Sequence, residues 1–211
     1  TARTGTTDLD PERVNAYEAA YIHKFSSDSH LQSNLFYLEN KDQIYSSSPP
    51  EFKNEMDTTI YGLELEYKGQ LSSSDQLYLN YALVDGKDKD HNYLPNVAKH
   101  LVKGYYIYNF SDYLSLSGVA RYVGEKQRIG EYVNLWTGTT EKDTRDEVKS
   151  YVDADMAVSY YDRKNDYHIT LSAKNILASD IRYPSPPPPD TYIDDYRQEG
   201  TNFLLTISKE Y

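Results

Sequence analysis

Apolar and polar residues alternate along nine separate stretches of the chain, as expected for β-strands that have one apolar face and one polar face. Residues 58–69 give the clearest case, because Glu64 and Glu66 fall between apolar positions. Those apolar positions are Tyr61, Leu63, Leu65 and Tyr67. The nine predicted strands span residues 14–25, 30–40, 58–69, 76–84, 98–110, 113–123, 151–161, 167–176 and 202–211.

The predicted strands are joined alternately by short turns and long loops. The short turns span residues 26–29, 70–75, 111–112 and 162–166, and the long loops span residues 41–57, 85–97, 124–150 and 177–201. Outer-membrane β-barrels place short turns on one side of the membrane and long loops on the other. A soluble antiparallel sheet gives the same alternation of faces but has no need to gather every long loop at one end. The pattern predicts an all-β, antiparallel transmembrane barrel.

Tyrosine is the most unusual feature of the composition, with 23 residues against a single Trp and 5 Phe. Tyrosine suits the boundary between hydrocarbon and water, because its ring is apolar and its hydroxyl is polar. No stretch reaches the roughly 20 apolar residues that a membrane helix needs. We therefore expect strands to cross the membrane. The predicted membrane-facing residues are Tyr61, Leu63, Leu65 and Tyr67, and the predicted lumen-facing residues are Glu64, Glu66, Asp153 and Asp155.

The net charge and the known motifs that the sequence lacks limit the functions expected of this chain. The net charge of −11 disfavours nucleic acid, since a phosphate backbone would be repelled. Motifs for a nucleophile, a zinc site or a phosphate loop are missing from the sequence, so we expect neither an enzyme nor a bound cofactor or metal. The acidic run at residues 85–91 resembles a cation loop, but its interleaved lysines favour a solvated loop.

Nine strands do not suit a closed barrel, because single-chain bacterial barrels have an even number of strands. An open sheet would leave the backbone groups of its edge strands without hydrogen-bond partners in lipid. We therefore expect further strands on the N-terminal side of this sequence.

Several short motifs follow one another in an order that resembles the TonB-dependent receptor family. They are Leu9-Asp10-Pro11-Glu12 followed by Tyr17-Glu18, Asn34-Leu35-Phe36-Tyr37 followed by Asp42-Gln43-Ile44, Gly62-Leu63-Glu64-Leu65-Glu66, and Lys174-Asn175-Ile176-Leu177. The C-terminal residue is aromatic, Tyr211, as is common in outer-membrane proteins. Two positions depart from the family pattern: Ala20 replaces a glycine, and Lys209 stands where an apolar residue is usual.

The resemblance implies that residues 1–211 are the C-terminal part of a 22-strand barrel in the bacterial outer membrane. It implies a plug domain and a TonB box that lie outside this sequence. The implied function is active uptake of a scarce ligand, typically a ferric siderophore, with haem, cobalamin and glycans as other options. The implied partners are TonB, the ligand and outer-membrane lipid.

Candidate ligand contacts lie in the two longest loops. They are Trp136, Tyr183, Tyr192, Tyr196 and Arg197, and packing against neighbouring loops explains Trp136 equally well. Two alternative functions stay open: a barrel enzyme of the outer membrane, and a soluble, tyrosine-rich sheet that binds carbohydrate. The barrel predicts a need for detergent, whereas the soluble sheet predicts expression without it.

Overall fold

The computed structural model describes residues 8–48, 51–134, 136–187 and 195–209. Its thirteen strands are Arg13–Lys24 (β1), His30–Ser48 (β2), Glu51–Gly69 (β3), Asp75–Asp88 (β4), His100–Ser111 (β5), Leu114–Val123 (β6), Glu131–Val133 (β7), Thr140–Lys142 (β8), Tyr151–Asp162 (β9), Tyr167–Lys174 (β10), Arg182–Tyr183 (β11), Tyr196–Arg197 (β12) and Asn202–Lys209 (β13). In this part of the chain, no helix is long and apolar enough to cross a membrane.

Nine of the strands form one antiparallel sheet in the order β1-β2-β3-β4-β5-β6-β9-β10-β13. Each strand pairs with the strands that precede and follow it among these nine, and β1 and β13 lie at the two edges of an open sheet. The remaining strands form two small hairpins, β7–β8 and β11–β12, within the two longest loops. The predicted all-β antiparallel fold and its nine main strands are confirmed.

The register places side chains of similar polarity opposite one another across the sheet. Residues directly opposite in antiparallel strands share a face. One row on the apolar face runs Leu35, Leu63, Leu83 across β2, β3 and β4. One row on the polar face runs Gln32, Glu66, Asn80, Lys103, Arg121, Asp153 across β2 to β6 and β9. The period of two seen in single strands therefore extends over the sheet.

The apolar face lies open. Among the exposed side chains on it are Leu171 (54% exposed) and Phe203 (74% exposed). Within the described residues, no large side chain is fully buried. Contiguous exposed apolar surface of this kind marks contact with a membrane or another protein.

The connection between β2 and β3 differs from the prediction. Residues 41–57 were expected to be a loop, but β2 continues to Ser48 and β3 begins at Glu51. The pairing shifts register between Asn40 and Gln43, where Asp42 has a φ of 57°. This irregularity breaks the two-residue period, so the alternation of faces fades although the ladder continues.

Two other boundaries also move. β4 extends to Asp88, into the predicted loop 85–97. β10 ends at Lys174 rather than at residue 176, because Asn175 adopts a φ of 46° and leaves the ladder.

Gly62 is required by close packing on the polar face of β3. A Cβ atom at this position would overlap the Leu83 carbonyl oxygen and would lie 2.6 Å from Cζ of Phe36. The phenyl ring of Phe36, directly opposite on β2, lies over this glycine. The Gly-x-Glu-x-Glu motif therefore begins with a residue that cannot carry a side chain.

Candidate functional site

The polar face of β2 to β6 is concave and encloses a trough of about 500 Å³. Its polar lining residues are Gln32, Asn34, Glu64, Glu66, Asn80, Lys103 and Arg121. The side chains of Glu64 and Glu66 are exposed to the trough, and the Asn80 amide donates a hydrogen bond of 3.0 Å to Glu66. Four charged side chains thus lie together on the concave face: Glu64, Glu66, Lys103 and Arg121.

Arg121 holds together the two acidic residues predicted to line the lumen. Its Nη1 atom lies 2.6 Å from Oδ2 of Asp153, and its Nη2 atom lies 2.7 Å from Oδ2 of Asp155. All three residues share the polar face, where β6 and β9 are paired. Asp153 and Asp155 are therefore on the same face as Glu64 and Glu66, but their charge is compensated locally.

A second cluster joins the two longest loops at one end of the sheet. The Arg128 guanidinium donates two hydrogen bonds to Asp195, Nη1 to Oδ1 at 3.0 Å and Nη2 to Oδ2 at 2.6 Å. The two side chains are only 11% and 10% exposed. Such two-point pairing of an arginine with a carboxylate is geometrically specific. It ties the β6–β9 connection to the β10–β13 connection.

Ser185 and Arg145 extend this cluster. The Ser185 backbone N–H donates to Oδ1 of Asp195 at 3.0 Å, and Arg145 Nη1 donates to Oγ of Ser185 at 2.9 Å. Arg145 also pairs with Asp143 at 2.6 Å. We call these five residues, Arg128, Asp143, Arg145, Ser185 and Asp195, the loop clasp.

The two carboxylates of the loop clasp are held in the charged form. Burial pushes the pKa of Asp195 upward, but hydrogen bonds from Arg128 and Ser185 outweigh burial, so the pKa lies below its ordinary value. The hydrogen-bonded guanidinium of Arg145 lowers the pKa of Asp143 more than burial raises it. Asp195 and Asp143 are therefore both ionised at neutral pH.

Asn175 fixes the base of the last loop. Its Oδ1 accepts a hydrogen bond from the Ser179 N–H at 2.9 Å, and its Nδ2 donates to the Ser179 carbonyl at 3.0 Å. Its backbone carbonyl accepts from Thr201 Oγ1 at 2.6 Å. One asparagine of the Lys-Asn-Ile-Leu motif thus joins the start and the end of the β10–β13 connection.

Three of the predicted ligand-contact residues come together. Tyr183 of β11 lies opposite Tyr196 of β12, and the adjacent Arg197 forms an ion pair with Asp180 at 3.3 Å. The Lys126 ammonium lies 5.1 Å from the centre of the Tyr183 ring. This hairpin sits directly beside the loop clasp.

The other two predicted ligand contacts are not part of that group. Trp136 is 82% exposed and lies on the separate β7–β8 hairpin, where its backbone N–H donates to Asn134 Oδ1 at 2.9 Å. Tyr192 lies outside the described residues.

The acidic residues of the run 85–91 contact individual neighbouring residues and do not form a shared site. Asp85 forms an ion pair with Lys99 at 2.9 Å, and Asp88 accepts the N–H groups of Asp90 and Asn92, each at 2.9 Å. Within the ranges that the structure covers, no three acidic or histidine side chains converge in a way that could hold a metal ion.

The alternation of apolar and polar residues did not predict the loop clasp. Arg128 and Asp195 stand 67 residues apart in loops without regular alternation. A charged residue in such a loop is normally solvated, and only the fold reveals that these two are buried together.

Comparison with known proteins places these features in a family. Residues 1–176 match the family described as TonB dependent receptor-like, beta-barrel. Among curated proteins, none matches the sequence significantly.

Solved structures of similar fold are three to four times longer than the chain. The ferric-catecholate import receptor Fiu from E. coli K12 superposes with a TM-score of 0.76 at 19% identity, covering 96% of this chain and 28% of that one. The copper transporter OprC gives 0.74 at 16% identity, with 95% and 31% covered. The ferripyoverdine receptor of the Pseudomonas aeruginosa outer membrane, bound to ferripyoverdine, gives 0.72 at 17% identity, with 94% and 27% covered.

Proposed function

Because this chain belongs to the TonB-dependent receptor family through its β-barrel, we propose that it forms the C-terminal wall of a larger outer-membrane barrel that takes up a ferric siderophore by TonB-coupled transport. The main support for this proposal is that one open sheet has an exposed apolar face and a concave charged face. A barrel wall between lipid and a wet lumen requires this division. The plug domain, the TonB box and the remaining strands belong to regions outside this sequence.

In this arrangement one face of the sheet meets lipid and the other meets the lumen of the barrel. Tyr61, Leu63, Leu65 and Tyr67 face lipid, and Glu64, Glu66, Asp153 and Asp155 face the lumen. In the C-terminal half of β3, Leu63 and Leu65 lie between Tyr61 and Tyr67, which matches an apolar band with an aromatic residue at each interface. The long-loop end is then the extracellular end.

Ligand capture is assigned to the extracellular loops. Tyr183, Tyr196 and Arg197 form one small surface beside the loop clasp, and Trp136 offers a second aromatic contact on the separate β7–β8 hairpin. Aromatic and arginine side chains suit binding of a bulky, anionic iron complex. Two relatives named for ferric ligands support this ligand class, and the copper transporter shows that the same fold accommodates another cargo.

The function is tested by measuring uptake of ⁵⁵Fe supplied as defined siderophores. Cells that carry the intact gene should accumulate iron from at least one siderophore, and cells with the gene deleted should not. Uptake should also stop in a strain that lacks TonB. Equal uptake with and without the gene for every siderophore offered would contradict the ferric-siderophore assignment.

The facing assignment is tested by two neighbouring substitutions in β3. Leu65→Arg should destabilise the folded barrel by about 2–4 kcal/mol if the side chain meets the middle of the bilayer. Glu64→Gln should have little effect, because a lumen-facing position stays hydrated. Urea titration in lipid vesicles measures both, and equal tolerance at the two positions would refute the assignment.

A further inference from the structure

The side chain of Asp155 joins two parts of the molecule. Its Oδ2 atom lies 2.7 Å from Nη2 of Arg121, and Arg121 is one of the residues that line the trough. Its Oδ1 atom accepts the backbone N–H of Asn175 at 3.0 Å. Asn175 directly follows β10, so one carboxylate contacts both the wall of the trough and the base of the β10–β13 connection.

The base of this connection has a strained backbone. Asn175 has a φ of 46° and Ala178 a φ of 53°, and a positive φ is unfavourable for alanine. The Ala178 N–H donates to the Asn175 carbonyl at 3.0 Å, which closes a tight turn. A strained conformation persists only where surrounding contacts hold it. The contacts of Asn175 therefore decide whether this turn keeps its shape.

The turn in turn positions the β11–β12 hairpin. Asn175 exchanges hydrogen bonds with Ser179, and its carbonyl accepts from Thr201 Oγ1, so it holds the connection at both ends. Next to the hairpin, the Ile181 carbonyl accepts the Gln198 N–H at 2.9 Å. A change in the contacts of Asn175 should therefore reach the hairpin.

The contact through Asp155 differs from the other contacts between this base and β9. The Ile176 N–H donates to the Ala154 carbonyl at 2.9 Å, and the Ser179 hydroxyl donates to the Val152 carbonyl. Those acceptors are backbone groups, which the ladder of the sheet holds in place. The acceptor from Asp155 is a side chain, and its orientation also depends on the ion pair with Arg121.

Arg121 is open to the trough. Its side chain is 36% exposed, and Lys103 lies directly opposite on β5. Residues directly opposite in antiparallel strands share a face and lie close together. An anionic group that enters the trough would be attracted by both cations and would compete with Asp155 for the Arg121 guanidinium.

We propose that Arg121 and Asp155 form a latch that couples the trough to the β10–β13 connection. While the ion pair is intact, Asp155 is held in position to bind Asn175, and the hairpin stays in place. When an anionic group of a passing ligand draws Arg121 away, Asp155 turns more freely and the base of the connection loosens. The coupling depends on these contacts alone, whereas the passing ligand and its capture by the hairpin rest on the proposed function.

Hydrogen exchange with mass spectrometry on the intact, detergent-purified protein tests the latch. Asp155→Ala removes the acceptor, so the Ser179 and Gln198 amides should exchange about tenfold faster. Asp153→Ala is the matched control and should leave both amides unchanged. Asp153 pairs with Arg121 at 2.6 Å, but its Oδ1 atom has no hydrogen-bond partner in the part of the chain that the structure describes.

Two substitutions at Lys103 test whether the trough controls the latch. Lys103→Glu places a carboxylate opposite Arg121, where it competes with Asp155, and should accelerate exchange of the same amides up to about fivefold. Lys103→Gln removes the same positive charge without adding a competitor and should leave exchange unchanged. In the Asp155→Ala background, Lys103→Glu should have no further effect, because the latch is already broken.

Heat-modifiable migration on a gel verifies that each variant is folded. Position 103 is exposed, so the Lys103 pair carries the test even if Asp155→Ala does not fold. Native exchange in folded Asp155→Ala would overturn the latch, and so would equal acceleration by Asp153→Ala. Equal exchange in Lys103→Glu and Lys103→Gln would overturn its control by the trough. These assays use neither a ligand nor iron uptake, so this proposal and the transport proposal can fail separately.

Discussion

The short-turn end and the long-loop end of the sheet are held together by different kinds of contact. At the short-turn end, most turn contacts lie within one turn, and an exposed ion pair of 3.8 Å between Arg163 and Asp112 joins two of the turns. Asp75 accepts the N–H groups of Leu71 and Ser72 at 3.0 and 2.6 Å, and Asp162 accepts that of Lys164 at 2.9 Å. These bonds span two to four residues of sequence.

At the long-loop end, the important contacts join residues that are far apart in sequence. Arg128 and Asp195 are separated by 67 residues, and Arg145 and Ser185 by 40. Arg128 and Asp195 are largely buried, as Asp75 in one short turn also is, whereas Lys164 in another turn is exposed. Each loop therefore depends on another loop for its position.

This difference links structure to function at the two ends. Local turns form independently, and a substitution in one turn should stay within that turn. Loops that share a buried ion pair should open and close together, because breaking the pair exposes both partners at once. A ligand that contacts the β11–β12 hairpin would thereby also influence the β6–β9 connection.

Arg128→Met should give the largest effect at the long-loop end. It leaves Asp195 buried without its charged partner, which costs about 3–5 kcal/mol. Opening of the last loop should become easier by that amount, so amide exchange of Ser185 should accelerate at least about a hundredfold. Hydrogen exchange with mass spectrometry measures this change. Exchange of Ser72, at the other end, should stay unchanged.

The double variant Arg128→Met/Asp195→Asn distinguishes the cost of losing the ion pair from the cost of leaving the Asp195 carboxylate buried without a partner. Asparagine tolerates the φ of 60° at position 195 and carries no charge. The double variant should be less destabilised than the sum of the two single variants. Strict additivity would show that the two side chains do not act as a pair.

Asn175→Ala should give the second-largest effect, at the base of the same loop. It removes two hydrogen bonds to Ser179 and places alanine at a φ of 46°, at a combined cost of about 2–3 kcal/mol. Asn175→Gly loses the same bonds without the backbone strain and should cost less. Urea titration compares the two variants, and equal losses would assign the whole effect to the hydrogen bonds.

Asp75→Ala tests the short-turn end and should have a smaller, local effect. Asp75 is buried and accepts hydrogen bonds from Leu71, Ser72 and the Tyr106 hydroxyl. Their loss should cost about 1–2 kcal/mol. Amide exchange should rise at residues 71 and 72 and stay constant at Ser185. A rise at both residues 71–72 and Ser185 would mean that the two ends are coupled through the sheet, which would contradict the independence of the short turns.

The same contrast explains which features the sequence could predict. The faces of β3 follow from a two-residue period that any short window reveals, so Leu65 and Glu64 were placed on opposite faces. The extension of β2 was missed, because the irregularity at Asp42 interrupts that period. The loop clasp was missed because its pairing depends on where two distant loops meet. The roles of Trp136 and Arg197 in ligand binding stay predictions.

Acid should loosen the long-loop end through the loop clasp, and this is the smallest of the expected effects. The pKa of Asp195 and that of Asp143 are lower in the folded protein than the ordinary value of about 3.9. A carboxylate with a lowered pKa contributes its full stabilisation above the unfolded pKa and loses it as the pH falls through the folded pKa. The loops should thus stay closed from pH 7 to about pH 5, begin to loosen below about pH 4, and open as the pH falls through the lowered pKa values of the folded protein.

Spin labels on the two loops can detect this opening. Thr144→Cys and Gly200→Cys are suitable sites, because Thr144 is exposed and a Cβ atom at Gly200 would meet no atom within 4 Å. The distance distribution between the labels should be narrow at pH 7 and pH 5 and should broaden at pH 3. In the Arg128→Met background it should already be broad at pH 7, with little further change in acid. If acid broadens both backgrounds equally, the ion pair is not what joins the two loops.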